Sequence, residues 1–156
     1  RSTAQTDVHH DYLNQPRPIG DHEHPDSYDP LYEFGHGLSY TEFARRGVAV
    51  ADTEVAPGDT VDVDVTVANV GDRDGSEVVQ VYAEVESKTL VRPERELVGF
   101  ERVDLDAGEE ATVTVSVPVE ALGVYAPGDG HRVEAGDYDL VVGDERRTVT
   151  VDGSYL

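Results

Sequence analysis

Residues 60–69, Thr-Val-Asp-Val-Asp-Val-Thr-Val-Ala-Asn, alternate apolar and polar side chains almost to the end of the run. A period of two is the repeat of an extended strand. It sends Val61, Val63, Val65 and Val67 to one face and Asp62, Asp64 and Thr66 to the other. A strand with one valine face and one acidic face has to be covered on the first and wetted on the second, which confines the chain to layered antiparallel β folds. Ala111–Val117 repeats the pattern, with Val113, Val115 and Val117 inward.

Other runs read the same way. Glu77–Val85 is a strand with Val79, Val81, Ala83 and Val85 on one side. Arg46–Ala51 reads as a first strand, and Leu97–Leu105 as a strand placing Phe100 and Val103 in the core. Tyr138–Val142 and Thr148–Val151 are the last two, joined across Gly143-Asp144. Pro57-Gly58-Asp59, Gly71–Gly75 and Asp106–Glu109 are turns, Pro118–Gly123 has room for a short helical turn, and Tyr125–Gly130 reads as loop. About seven short strands with no helical period predict an all-β, antiparallel sandwich of immunoglobulin or fibronectin-III-like type. Residues 1–29 lack periodicity and carry Pro16, Pro18, Gly20 and Pro25; they read as an extended N-terminal arm.

Charge decides between partners. Thirty-three acidic residues against twelve basic ones give a net charge of −21. A folded domain so charged repels itself at low salt, whereas at molar salt the screening length falls to about 3 Å. The expectation is a soluble protein of a salt-loaded setting, from the cytoplasm of a salt-accumulating organism or secreted from one. Nucleic acid is excluded as a partner because phosphate binding needs a basic patch, and an anionic membrane is disfavoured for the same reason. No apolar run is long enough for a transmembrane helix. With no cysteine there is neither a disulfide framework nor a thiolate metal site, and with no methionine the chain reads as a piece of a longer protein.

Between arm and strands lies Pro30-Leu-Tyr-Glu-Phe-Gly-His-Gly-Leu-Ser-Tyr-Thr-Glu-Phe43. Tyr32, Phe34, Leu38, Tyr40 and Phe43 crowd around Gly35 and Gly37, the composition of an irregular segment pressed against another surface. This stretch resembles the "PLYPFGxGLSYTxF" signature of family 3 glycoside hydrolases of the β-glucosidase and β-xylosidase type. Further motifs follow in order: Val67–Gly71 with Gly75–Tyr82, Val91–Phe100, Leu105–Glu110, and Glu134–Tyr138 with Val142-Gly143. The likeness spans about residues 28–151. Glu33 stands where the family often has proline, and His131-Arg132-Val133 where an aromatic is common.

The resemblance implies a fibronectin-III-like domain that follows two catalytic domains. On that footing 1–29 is the tail of a missing α/β domain and 30–43 a junction. In the junction Tyr32, Phe34, Gly35, Gly37, Leu38, Tyr40 and Phe43 dock against the catalytic domains in cis, and 44–156 is the fibronectin-III-like domain. The loop Ser87–Glu96, with Arg92, Pro93 and Glu94, would lie near the parent's active site. The family's nucleophilic aspartate and its acid/base carboxylate belong to motifs that this chain does not contain. The expected role is therefore non-catalytic, with no cofactor and no metal, and an exposed docking patch favours self-association.

The residues themselves point to little chemistry of their own. Glycoside hydrolysis needs two carboxylates about 5–10 Å apart, but in so acidic a chain proximity carries no information, and alternation points the strand carboxylates to solvent. His9, His10, His22, His24 and His36 have no partner cluster for a metal. Asp72 and Asp74 lack the spacing and the closing glutamate of a calcium loop and read as a hairpin turn. No nucleophile elbow or phosphate loop is present. The alternative to a brace is a free-standing carbohydrate-binding or adhesion module, with the aromatics of the junction as its stacking platform.

Overall fold

The computed structural model describes residues 35–85, 93, 95–126, 128 and 130–153. The expected arm, 1–29, lies outside them. The elements are β1 (Phe43–Val50), β2 (Glu54–Val55), β3 (Thr60–Asn69), β4 (Gly75–Glu84), β5 (Glu96–Leu105), β6 (Glu110–Pro118), a 3-10 turn (Val119–Leu122), β7 (Val124–Ala126), β8 (Gly130–Arg132), β9 (Gly136–Val142) and β10 (Glu145–Val151). Seven of the strands have seven residues or more. Two sheets form the sandwich, one of three strands in the order β1-β3-β6 and one of five in the order β2-β10-β9-β4-β5. Every ladder is antiparallel except the short β2–β10 pair.

The valine alternation builds the core. Val61, Val63, Val65 and Val67 of β3 are fully buried, as are Val79 and Val81 of β4 and Val115 and Val117 of β6. Tyr138 closes one end: its ring is buried in the core, and its hydroxyl donates to the Glu134 carbonyl at 2.9 Å. This is the tyrosine corner of immunoglobulin-like sandwiches, in which the phenol satisfies a backbone acceptor just upstream of its strand.

The outward aspartates are paired with hydroxyls directly across the ladder. Asp62 accepts from Ser116 and Asp64 from Thr114 on the smaller sheet, at 2.7 and 2.6 Å. Asp137 accepts from Thr150 and Asp139 from Thr148 on the larger one, both at 2.7 Å. Two turns use a related device. Asp59 Oδ2 accepts the Ala56 amide and Glu109 Oε2 the Asp106 amide, each at 2.8 Å. The residue before the acid in each turn, Gly58 or Gly108, has the positive φ that a type II turn requires.

Three expectations need correcting. Phe100 is not a core residue; it is 63% exposed. A β-bulge carries the strand past Val98, because Val81 pairs with Gly99 and Tyr82 with Leu97. Gly99 thereby takes the inward position, where an added Cβ would lie 3.0 Å from methyls of both Val115 and Val117. Phe100 and Val103 are three residues apart, so a regular strand cannot send both inward. Tyr125–Gly130 is not simply loop: Val124–Ala126 and Gly130–Arg132 pair as a small hairpin. The first strand begins earlier than expected, at Phe43, whose ring packs against the core. A bulge between Arg45 and Val48 then resets its phase so that Val48 faces in.

Candidate functional site

The segment 35–42 runs over the sandwich and is fixed at two points. At its far end Thr41 sits in a notch formed by Gly71 and Gly75. A Cβ on Gly71 would collide with the Thr41 hydroxyl, and one on Gly75 would lie 2.6 Å from Thr41 Cγ2 and 3.2 Å from Phe43 Cζ. The Thr41 hydroxyl donates to Asn69 Oδ1 at 2.8 Å, and Val70 N–H donates to the Glu42 carbonyl at 2.8 Å.

Asn69 is 1% exposed and is the buried polar residue of the described structure. Its amide is fully used. Oδ1 accepts from Thr41 and from Gly71 N–H at 3.2 Å, while Nδ2 donates to the carbonyls of Arg73 at 2.7 Å and Leu105 at 3.2 Å. An amide has two donors and two acceptor lone pairs, so no capacity is left over. Its backbone joins the turn before β6 as well, through Gly108 N–H and the Glu109 carbonyl.

The near end of the segment is Gly35. Its φ is +84°, and an added Cβ would run into the Tyr82 hydroxyl and lie 2.8 Å from Gln80 Oε1. Tyr82 is 7% exposed, and its hydroxyl donates to Gln80 Oε1 at 2.7 Å. Burial raises its phenol above the usual tyrosine range, partly offset by the Arg95 and Arg45 guanidiniums. Arg95 stacks 5.7 Å from the Tyr82 ring centroid and bonds Glu84 Oε1 through Nε and Nη2. Glu84 is shared with Arg146, which also reaches Asp139. A cavity of about 330 Å³ opens here, lined by Gly35, His36, Arg45, Gln80, Tyr82, Arg95, Gly143 and Asp144. Sequence reasoning passed over Tyr82 and Arg95. The visible signal was Tyr82 itself, a large ring on the face of β4 opposite the buried Val79 and Val81.

Between the two fixed points Leu38 and Tyr40 turn away from the sandwich, 90% and 96% exposed. Gly35, Gly37, Leu38 and Tyr40 are thus on an exposed arch, while Phe43 belongs to β1. Tyr32, Phe34, Arg92 and Glu94 lie outside the described residues; Pro93 is exposed.

Asp104 lies on β5 between a hydroxyl and a guanidinium. The Ser76 hydroxyl, and then the Arg102 guanidinium, hold it below the usual carboxylate range. A general acid for glycoside cleavage needs the opposite displacement. Among the described residues, no group of three or more histidines and carboxylates could hold a metal ion.

These features define an immunoglobulin-like sandwich with a tyrosine corner and a two-point arch before its first strand. The fibronectin type III-like domain model matches residues 77–146. A thermostable β-glucosidase B of Acetivibrio thermocellus is 39% identical over 128 residues, covering 81% of this chain and 17% of that protein. An exo-α-(1→6)-L-arabinopyranosidase of Bifidobacterium breve is 42% identical over 124 residues, covering 76% of this chain and 16% of its own length. The crystal structure of a Listeria innocua β-glucosidase in complex with glucose superposes with a TM-score of 0.75 at 34% identity. It covers 88% of this chain and 20% of that one. Residues 77–146 are thus a fibronectin type III-like domain, and the chain as a whole matches a fragment of family 3 glycoside hydrolases of β-glucosidase type. It spans about a fifth or less of the length of these relatives.

Proposed function

We propose that this domain braces the catalytic domains of a family 3 glycoside hydrolase of β-glucosidase type and takes no part in the chemistry itself. The observation that carries this reading is the arch. A segment fixed at Gly35 and Thr41 spends its two largest apolar side chains, Leu38 and Tyr40, on solvent. Ordering a backbone costs about 1–2 kcal/mol per residue, and among the described residues Leu38 and Tyr40 are left to solvent in return. Their partner is a surface supplied by the rest of a longer polypeptide, and the relatives are such polypeptides. The relatives differ in named substrate, glucoside in one and arabinopyranoside in another, so the sugar is set outside this domain.

The test is turnover of an aryl β-glucoside by this chain and by the polypeptide encoded by the complete reading frame. The expected result is none for the first and activity for the second; measurable turnover by the 156-residue chain would overturn the proposal.

The cavity beside Tyr82 favours a second reading, a saccharide-binding module, since its lining is rich in planar polar groups. Arg95 covers the Tyr82 ring, however, so the cavity offers no open aromatic face for a sugar to stack on. Titration with gluco- and xylo-oligosaccharides is expected to be flat.

A further inference from the structure

An arch bearing two apolar side chains is too small to hold two domains together. A stable interface takes about 800 Å² and roughly twenty residues from each side. The surface around the arch shows where the remainder lies. Phe100 on β5 is the direct cross-strand partner of Gln80, whose side chain seats Gly35. Val78, two residues from Gln80 on the same strand face, pairs with Arg102, and Leu97 pairs with Tyr82. Phe100, Val78 and Leu97 are all exposed. Single exposed apolar residues are ordinary, but in the register Val78 and Leu97 flank the Gln80–Phe100 pair on one sheet face, and the row meets the arch at Gln80. The smaller sheet and the β9–β10 part of the larger one carry aspartate–hydroxyl pairs outward instead. Arg102, held by Asp104 and Ser76, and Arg95, held by Glu84, flank the apolar residues. Exposed aromatics bordered by arginine are the composition of interface centres.

We propose that the docking face continues from Leu38 and Tyr40 across Gln80 onto Phe100, Val78 and Leu97, and that one neighbouring domain of the same polypeptide covers both parts. The proposal rests on the bracing role above. A second copy of this chain is the weaker occupant, because it would bring another −21 against the first.

The chain has no cysteine, so single thiols report burial cleanly. Leu38→Cys, Phe100→Cys and, as a control on the outer face of the smaller sheet, Ala49→Cys are made in the 156-residue chain and in the complete polypeptide. All three sites are exposed, so each variant is expected to melt like the parent. Maleimide labelling is followed on the peptides by mass spectrometry. The expected result is fast labelling of all three sites in the chain alone, with Leu38→Cys and Phe100→Cys slowed at least tenfold in the complete polypeptide and Ala49→Cys unchanged. Protection at 38 without protection at 100 would overturn the extended face and leave the bracing role intact. Protection at neither site would overturn both. Protection at 100 that appears in the isolated chain as its concentration rises would assign the face to a second copy and also overturn the proposal.

Discussion

The Thr41 hydroxyl donates to the buried Asn69 amide oxygen at 2.8 Å, joining the segment that precedes the first strand to the interior of the sandwich. Asn69 spends its other three hydrogen bonds on the turn after β3 and on the end of β5. Removing Asn69 therefore strands groups on three elements, while removing Thr41 strands one. Thr41→Val is expected to cost about 1 kcal/mol and Asn69→Ala about 3 kcal/mol. Their double-mutant cycle should show a coupling of about 1 kcal/mol. Urea unfolding of the four proteins measures it, and strict additivity would mean that the hydroxyl is not held by the amide.

Gly99 and Phe100 predict opposite responses. Gly99→Val drives branched carbons against Val115 and Val117 in a filled core, and overpacking there should cost about 2 kcal/mol or more. A domain of this size would then melt roughly 6 °C lower. Phe100→Ser should leave the melting temperature of the isolated chain nearly unchanged, because the ring is on the surface. Equal losses from both substitutions would contradict the bulge at Val98.

Tyr82 links stability to alkaline pH. Burial raises its folded pKa above the ordinary value of 10.0. The folded state thus holds the phenol proton more tightly than the unfolded chain does. The associated stability is complete below about pH 10 and is lost as pH climbs through the raised folded value. Tyr82→Phe gives up the bond to Gln80, about 1 kcal/mol at pH 8, and flattens the loss above about pH 10. An unchanged slope in the variant would place the alkaline sensitivity elsewhere.

Salt should stabilise the fold. With a net charge of −21, self-repulsion weakens as the screening length shortens from about 30 Å at 10 mM to about 3 Å at 1 M. The melting temperature is expected to rise from dilute to molar KCl, and one indifferent to salt would count against charge repulsion as the main burden on this fold.

The layered architecture was legible because valine on alternate positions of β3 and β6 leaves a strand no other way to bury itself. The 3-10 turn and the hairpin turns followed from proline, glycine and acid placement. Phe100 was misread because residue type was weighed above parity; the glycine beside it held the inward position, and only the facing Val115 and Val117 reveal why. The hub at Asn69 was not legible either. Its partners Thr41, Arg73 and Leu105 are far apart or unremarked in sequence, and a buried amide is recognised by the four groups that surround it.

Asp62, Asp64 and Asp137 on the sheet faces are bound to serine and threonine, while Asp139 is shared between Thr148 and Arg146. A guanidinium beside each of the first three would have cancelled the charge where it stands. A hydroxyl fixes the carboxylate's position and leaves its charge whole. The domain therefore wears an ordered anionic coat whose compensation is left to the solution, so the ions and water around it are a working layer of the folded molecule.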